Sequence, residues 1–494
     1  MKKEEKEHFQ LAEALRKEAV PEKKRRRILK NVRERIEKEK TMKLSVKEGA
    51  FASIMSGTGV SYLSLYALAL KANNIYIGLL SSIPNLLSPL TQIFSSRFAE
   101  KYPRKKLIVL PVFLQAFTWI PILLLAVLFW KNIWLAYLPV LLILFYSLYA
   151  IFGAVASPAW FSLMGDIVPE KIRGKYFGKR NRIAELVALI SFLSAGFILD
   201  LFQTKGLALI GFSLLFFVSF IARTISAGLF KKHYEPGLKF KDGYYFNLFQ
   251  FAKKSVSNNF GRFVIYVALI HFATNIAGPF FAVYMIKELK FSYLTFTLVT
   301  ITASIATIIF MPIWGKFADK YGNRELLRLG GFLVPFLPIA WLFGKSPVYI
   351  ALVPQIIGGV GWAAFNLAAS NFIYDSVSRE KRALCVAYYN VFIGAGTFAG
   401  GLVGGFLAHY LTVNFMNKFL LIFLISGILR LLSSLIMLSK IKEVRKVEKS
   451  KNLAFSYLKE IVPSLGIVKG INHEIDYRFK KIKNGFRNFA KVTF

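Results

Sequence analysis

Two stretches of the sequence, SSRFAEKYPRKKLIV at residues 95–109 and WGKFADKYGNRELLR at residues 314–328, are copies of one loop. The run FAEKY in the first aligns with FADKY in the second at an offset of 219, and matching the next arginine of each copy pairs Arg104 with Arg324, one residue beyond that offset. Each copy joins two long apolar segments. The repeat therefore predicts that the chain consists of two similar halves.

A second pair of loops recurs farther along each half. One copy reads GDIVPEKIRGKYFGKRN and the other YDSVSREKRALCVAYYN, at an offset of 209. Each copy contains an acid followed seven residues later by an arginine, Asp166 and Arg173 in the first copy and Asp375 and Arg382 in the second. Two separate loops thus repeat in the same order, which supports the division into halves.

The segments between these loops are apolar enough to cross a membrane. The chain has 494 residues, of which 55% are hydrophobic, and its mean hydropathy is +0.48. A bilayer span needs about 20 mainly apolar residues. Twelve such segments are found, centred on 50–70, 75–96, 107–130, 133–156, 184–204, 207–230, 262–286, 293–313, 326–343, 347–371, 385–408 and 417–439. The sequence predicts an all-α polytopic membrane protein with two parallel six-helix repeats, since an even number of spans gives both halves one orientation.

The net charge of +38 lies in the two tails and in alternate loops, whereas the remaining loops carry only one or two lysines each. By the positive-inside rule, both termini and the central loop are cytoplasmic, and we expect a plasma-membrane protein. A nucleic-acid partner is not expected, because no folded basic domain is visible. The predicted regions are a charged tail (1–48), a six-helix bundle (49–230), a linker (231–261), a second bundle (262–440) and a basic tail (441–494).

The loop GKFADKYGNR (residues 315–324) resembles the signature G-x-x-x-D-(R/K)-x-G-(R/x)-(R/K) of the major facilitator superfamily (MFS). The first-half copy departs from it, since Ser96, Glu100 and Pro103 replace the leading Gly, the Asp and the second Gly. The acid-x6-Arg pairs also resemble an element of that superfamily's inner gate. The resemblance covers about residues 44–440. It implies two bundles that rock about a central site, with the loop charges latching the cytoplasmic face.

We expect the repeated loop charges to form a cytoplasmic gate. Carboxylate–arginine pairs near water are each worth about 1 kcal/mol, so thermal motion can break them. In an alternative reading the acids only hold loop geometry or membrane topology, and the repetition at fixed offsets favours the gate. The predicted gate residues are Glu100, Arg104, Asp166, Arg173, Gly315, Asp319, Arg324, Asp375 and Arg382.

Polar residues inside the spans are candidates for a central substrate cavity, which combines apolar walls with a few polar groups. The candidates are Asn85, Gln92, His271, Asn275, Trp362 and Asn366. Each could instead hydrogen-bond a neighbouring helix, which is the commoner role of such residues in membranes. No acid lies mid-span, so His271 is the best titratable candidate and a proton the candidate coupling ion.

Two arginines, Arg223 and Arg430, lie within spans at an offset of 207. We expect both to snorkel toward the membrane surface, because a charge at the bilayer centre is costly. Glu185 is a possible partner for Arg223. The run GAGTFAGGLVGG at residues 394–405 predicts close helix packing rather than a phosphate-binding loop.

These features predict a secondary active or facilitative transporter that moves a small, neutral or weakly polar solute by alternating access. The alternatives are an exporter of drugs, amphipaths or lipids, and a non-transporting receptor or scaffold. An enzyme is not expected, since His271 has no mid-span acid to orient it. With a single cysteine, Cys385, neither a disulfide framework nor a thiolate metal cluster can form, and no metal or cofactor is expected. The expected partners are a small-molecule substrate and the lipid bilayer, and the chain is expected to be a monomer.

Overall fold

The computed structural model describes residues 21–98, 102–169, 172–236, 248–255 and 257–445. Every regular element within these ranges is helical. In chain order the α-helices are α1 Glu22–Thr58, α2 Leu63–Ala69, α3 Asn74–Phe98, α4 Arg104–Phe117, α5 Trp119–Trp130, α6 Leu138–Ile167, α7 Arg173–Thr204, α8 Ala208–Phe230, α9 Leu248–Ser255, α10 Asn259–Ala277, α11 Phe280–Val283, α12 Tyr293–Tyr321, α13 Asn323–Ala340, α14 Pro347–Ile350, α15 Ile356–Ser376, α16 Arg379–Tyr410 and α17 Lys418–Met437.

By length and composition, ten helical spans in the described part of the chain can cross a membrane. Two further segments bring the spans to the predicted twelve. The first is the end of α1 together with α2, which are separated at Gly59. The second is α13, whose first turns carry Arg324, Glu325 and Arg328. Helices satisfy their own backbone hydrogen bonds, which is what a lipid environment demands.

The first span of each half is broken at the same place in the repeat. The α1 helix ends before Gly59, and α10 ends before Gly278, at the offset of 219 found in the loops. A Cβ atom on Gly59 would lie 2.5 Å from Cη2 of Trp119, so only glycine allows this approach. In the second half Pro279 follows the break and cannot donate a backbone hydrogen bond. The repeat therefore extends from the sequence into helix shape.

The predicted boundary between the charged tail and the first bundle falls inside a helix. The α1 helix runs without interruption from Glu22 to Thr58, and Glu48 is only 3% exposed. Within the linker, α9 begins at Leu248 and ends at Ser255. Residues 1–20 and 446–494, which hold most of the predicted tails, lie outside the described residues.

The two bundles share a buried apolar core at one end only, although α3 keeps contact with the second bundle farther along through Ile93. We call the end that carries the start of α4 and the end of α17 the tail face, and the other end the opposite face. At the opposite face one apolar cluster joins both bundles and includes Tyr62, Trp119, Phe280 and Trp341. Toward the tail face the buried apolar side chains form two separate clusters, one in each bundle. The molecule is therefore open between the bundles toward the tail face.

Helices α3 and α16 form a glycine seam between the bundles. A Cβ atom on Gly78 would lie 2.6 Å from the carbonyl oxygen of Gly401, and one on Gly394 would lie 2.6 Å from that of Asn85. On its other side α16 packs against α10 in the same way, with Gly400 against the carbonyl oxygen of Phe272. Small residues let helix backbones approach closely in membranes. The prediction of close packing for residues 394–405 is confirmed.

Helices α7 and α12 also join the bundles, but only near the opposite face. There the Tyr62 and Thr297 hydroxyl oxygens lie 2.8 Å apart, and Gly196 packs against Thr297. One turn away, the backbone N–H of Leu294 donates to Oδ1 of Asp200 at 3.4 Å. Toward the tail face the two helices diverge and leave a cavity between them. The opening between the bundles is therefore wedge-shaped.

Candidate functional site

The main cavity has a volume of about 810 Å³ and lies between α7 and α12. Its walls include the apolar residues Leu189, Phe192, Phe296, Ile308 and Met311 and the polar residues Ser56, Asn181, Arg182, Glu185, Thr300, Ser304 and Thr307. Apolar walls with a few polar groups are typical of small-molecule sites. The size and lining suit a solute with both polar and apolar parts.

A side cavity of about 350 Å³ extends into the second bundle. Phe296 and Thr300 line both cavities, so the two adjoin. The side cavity is mainly aromatic and apolar, and its lining includes Arg430, a residue that is 0% exposed to solvent. Arg430 is therefore buried inside the second bundle, and the expectation that it snorkels to the surface is wrong.

Three of the predicted cavity residues lie beside the side cavity. Trp362 lines it, and the ring of His271 lies 5.8 Å from that of Trp362. Asn275 donates to the backbone carbonyl of His271 at 2.9 Å and lies 3.4 Å from Oγ1 of Thr397 on α16. Asn366 follows Trp362 by one turn on α15 and is exposed. The face shared by these residues was predictable from helical spacing.

The two predicted cavity residues on α3 lie elsewhere. Asn85 donates its side-chain N–H to the carbonyl oxygen of Ser81 at 2.7 Å, and its own carbonyl lies in the glycine seam. Gln92 accepts a hydrogen bond at its backbone carbonyl from the Ser95 hydroxyl at 3.2 Å. Neither residue lines the main cavity or the side cavity. The backbone of Asn85 takes part in helix packing while its side chain is exposed, so contact of these two residues with a substrate stays a prediction.

In the first bundle, the predicted gate residues Arg104 and Asp166 form an ion pair. Arg104 is 1% exposed and donates from Nη1 to Oδ2 of Asp166 at 2.7 Å and from Nη2 to the Pro236 carbonyl at 3.1 Å. Arg173 does not pair with Asp166. It donates instead to the carbonyl oxygen of Gly165 at 2.9 Å, at the end of α6. An arginine near the last carbonyls of a helix stabilises that helix end.

The second bundle repeats this arrangement. Arg382 donates to the carbonyl oxygens of Tyr374 at 3.1 Å and Val377 at 3.2 Å, the positions equivalent to the acceptors of Arg173 at the offset of 209. Asp375 accepts a hydrogen bond from Nδ2 of Asn323 at 2.6 Å. Asn323 therefore occupies the place of Arg104 at the offset of 219. The sequence pairing of Arg104 with Arg324 is wrong by one residue.

Two carboxylates that the sequence analysis missed bind the starts of α4 and α13. The backbone N–H of Lys105 donates to Oε1 of Glu235 at 3.4 Å, and that of Arg324 donates to Oε2 of Glu443 at 2.7 Å. A carboxylate at a helix start accepts otherwise unpaired N–H groups and interacts favourably with the helix dipole. Glu235 and Glu443 are 208 residues apart, and each follows the last span of its half. This repeated acid is the sequence pattern from which the two contacts could have been predicted.

The other gate predictions concern exposed or undescribed positions. Asp319 is 81% exposed, and Arg445 lies 3.9 Å from both Asp319 and Asp375. A Cβ atom on Gly315 would meet no atom within 4 Å. Glu100 lies outside the described residues. Each gate contact named above joins parts of one bundle, or that bundle to the segment that follows it, so none of these named contacts joins the two bundles in this conformation.

A buried charged network crosses the first bundle. Glu48 accepts a hydrogen bond from Nη2 of Arg180 at 3.2 Å, and Nη1 of Arg223 lies 4.0 Å from its other oxygen. Arg223 also donates to Oε1 of Gln115 at 2.8 Å. Arg223 therefore pairs with Glu48 and not with Glu185, which lines the main cavity. Like Arg430, it is held inside its bundle and does not snorkel.

His233 is a buried histidine outside the spans, just after α8. It is 2% exposed, its ring lies 5.1 Å from that of Phe230, and neither ring nitrogen has a hydrogen-bond partner. Burial, together with the charges of Lys105 and Arg180, lowers the pKa of His233 to about 4. The ring is therefore neutral at physiological pH.

The family model described as Major Facilitator Superfamily matches residues 49–252 and 263–482. The chain belongs to the major facilitator superfamily. This confirms the resemblance first noted in the loop signature, and the chain is a multi-pass membrane protein of this transporter family. The two matched ranges correspond to the two bundles described above.

Relatives of this MFS chain include pumps and transporters. It is 28% identical over 141 residues to the multi-drug resistance efflux pump PmrA of Streptococcus pneumoniae, covering 28% of this chain and 33% of the pump. It is 25% identical over 368 residues to an uncharacterized MFS-type transporter of Methanocaldococcus jannaschii, covering 73% of this chain and 89% of that protein. The chain thus spans only a third of the length of the curated pump.

Two solved structures share the fold. The nucleoside transporter NupG superposes with a TM-score of 0.60 at 17% identity, covering 81% of this chain and 100% of NupG. A bacterial homologue of the human lysosomal transporter Spinster, in an inward-facing and unoccupied conformation, has a TM-score of 0.54 at 16% identity and covers 83% of this chain and 99% of that one. At these identities the superpositions show the all-helical MFS architecture and nothing about substrate.

Proposed function

We propose that this MFS protein is a transporter that moves a small solute by alternating access, with the two bundles rocking about the main cavity. The observation that carries the proposal is the uneven closure of the bundles. One apolar cluster joins them at the opposite face, whereas two separate clusters and an 810 Å³ cavity lie toward the tail face. Such a one-sided cavity is one of the two states that alternating access requires.

The loop charges support an orientation for this state. Lysine and arginine are concentrated in the loops of the tail face, and such loops are cytoplasmic in most membrane proteins. We therefore place both termini in the cytoplasm, the chain as a monomer in the plasma membrane, and the conformation as open to the cytoplasm. The gate residues of each bundle then face the cytoplasm, where their exposed carboxylates can exchange partners as the bundles move.

Paired cysteines test the alternating motion. In a Cys385→Ala background, one pair is Gln203→Cys with Tyr293→Cys at the opposite face, where the Tyr293 N–H lies 3.3 Å from Oε1 of Gln203. The matched control pair is Leu189→Cys with Ile308→Cys, across the main cavity. The first pair should cross-link with short reagents in the described state, and the second should not. Transport that continues after the opposite-face pair has been fully cross-linked would overturn the proposal.

Substrate and coupling need a flux assay. Protein reconstituted in liposomes is offered a panel of labelled solutes, with and without a proton gradient. Flux of one solute class that does not respond to the gradient would exclude proton coupling, whereas gradient-driven uptake lost in His271→Gln would support His271 as the titrating group. Complete absence of flux for every solute would favour a receptor or scaffold.

A second candidate function is export of amphipathic compounds or lipids. Its supporting observation is the apolar wall formed by Leu189, Phe192, Phe296, Ile308 and Met311, next to exposed Glu185 and Arg182. Such a wall accommodates an apolar body while the charged groups contact a polar head. Flux of fluorescent amphipaths out of inverted vesicles, without flux of hydrophilic solutes, would favour this function over uptake of a small polar solute.

A further inference from the structure

Arg430 is a fully buried cation with part of its hydrogen-bonding capacity unused. Nε donates to the Ser426 hydroxyl at 3.1 Å, Nη1 to the Val334 carbonyl at 3.1 Å, and Nη2 to the Thr274 carbonyl at 3.5 Å. A guanidinium has five N–H donors, so two remain after these three contacts. Arg430 lines the side cavity, and this cavity has room for a hydrogen-bond acceptor of the two remaining N–H groups.

The charge of Arg430 has no balancing carboxylate in the part of the chain that the structure describes. Among the described residues Arg430 takes part in no ion pair, whereas the equivalent Arg223 of the first bundle has Glu48 beside it. A buried charge without a counter-ion is strongly unfavourable. The two halves thus differ at one equivalent position, and the second half leaves a place for a negative charge.

Other groups in the side cavity suit an anionic ligand with an apolar body. The hydroxyls of Thr274 and Thr300 line the cavity, are buried and have no hydrogen-bond partner. Trp341 and Trp362 form part of its aromatic wall. Buried polar groups are normally hydrogen-bonded, so two unpartnered hydroxyls in one cavity indicate a site that a ligand completes. Thr300 also lines the main cavity, which provides a route of entry.

We propose that the side cavity binds the carboxylate of an organic monoanion whose aromatic or apolar body packs against Trp341 and Trp362. Arg430 supplies the charge and two N–H donors, and a guanidinium matches a carboxylate in shape and charge. Thr274 and Thr300 supply further hydroxyl donors. The inference rests on the proposed transport function and narrows its substrate class from neutral solutes to carboxylates. It replaces the neutral-solute expectation, which assumed no fixed charge near the cavity.

The test measures binding to the purified full-length protein. Benzoate and its neutral analogue benzamide are titrated while tryptophan fluorescence and the melting temperature are recorded. Benzoate should bind at least about tenfold more tightly than benzamide, since only the carboxylate carries the negative charge that pairs with the guanidinium of Arg430. Arg430→Met should remove this preference, and Arg430→Lys, which keeps the charge, should retain part of it.

Arg328→Met is the matched control, because Arg328 is about half exposed near the start of α13 and lines neither cavity, so it should leave benzoate binding unchanged. Equal affinity for benzoate and benzamide, or unchanged benzoate binding in Arg430→Met, would overturn the proposal. So would the absence of binding by benzoate, phenylacetate and indole-3-acetate alike. A melting-temperature increase with chloride alone equal to that with benzoate would reduce the site to an inorganic anion site. None of these outcomes depends on transport, which the cysteine pairs test separately.

Discussion

Replacing Glu48 by glutamine removes the single carboxylate between two buried arginines. Glu48 is 3% exposed, with Arg180 at 3.2 Å and Arg223 at 4.0 Å. At an effective dielectric constant of about 20, these separations correspond to about 5 and about 4 kcal/mol of Coulomb attraction. Desolvation of the three groups offsets much of this sum. Breaking a buried ion pair from one side still costs about 3–5 kcal/mol, because an uncompensated charge remains.

Equilibrium unfolding in mixed micelles measures this effect. Glu48→Gln should lower the free energy of unfolding by about 3–5 kcal/mol, whereas Arg180→Gln in the same background should recover part of the loss. The matched control is Glu39→Gln on the same helix, where an exposed pair with Arg35 at 3.1 Å should matter by about 0.5 kcal/mol at most. A loss below about 1 kcal/mol for Glu48→Gln, or no coupling between Glu48 and Arg180, would refute the reasoning.

Three further predictions use the same unfolding assay. Gly400→Ala, whose added Cβ atom overlaps the Phe272 carbonyl, should lower the free energy of unfolding by about 1–3 kcal/mol. Gly228→Ala, whose Cβ atom would meet no atom within 4 Å, should be neutral or stabilising. Equal effects of the two substitutions would contradict the packing argument. His233 has a pKa of about 4 in the folded protein and 6.5 in the unfolded chain. The neutral His233 ring therefore contributes its full share to the free energy of unfolding above about pH 6.5. This free energy should fall by about 3 kcal/mol as the pH drops toward 4, and His233→Gln should flatten this dependence. Glu443→Ala should lower the free energy of unfolding by about 1 kcal/mol, because the start of α13 loses the acceptor of the Arg324 N–H. Glu443→Gln should lower it less, since an amide oxygen still accepts that N–H. An equal loss in both variants would show that the charge matters more than the hydrogen bond.

The spans and the repeat were predictable because each depends on local information. About 20 apolar residues suffice to indicate a membrane helix, and loop copies at fixed offsets indicate two halves. The pairing of Arg104 with Arg324 was wrong because it matched arginine to arginine and departed by one residue from the offset of 219. In the structure Asn323, and not Arg324, reaches the acid of its own bundle. The unbroken offset already places Arg104 over Asn323, so the correct equivalence was available from the sequence.

The site was predictable only in part. Helical spacing placed His271, Asn275 and Trp362 on neighbouring surfaces, and the structure brings them together. The same spacing on α3 selected Asn85, whose backbone carbonyl lies against α16 and whose side chain lines neither cavity, because periodicity defines a face but not what lies opposite it. Arginines within spans were expected at the surface. Arg223 is instead held by Glu48, and Arg430 by the backbone carbonyls of Val334 and Thr274, all of them far away in the sequence.

The glycine seam between α3 and α16 also bears on the proposed rocking of the bundles. Backbones in direct contact, as at Gly78 and Gly401, have little room to separate, so the proposed rotation would have its axis near this line. Displacement would then grow with distance from the axis and be largest at the free ends of α7 and α12. The α1 helix, 37 residues and about 55 Å long, is part of the first bundle and would move with it. A small rotation deep in the membrane would thereby produce a large displacement of the charged end of α1.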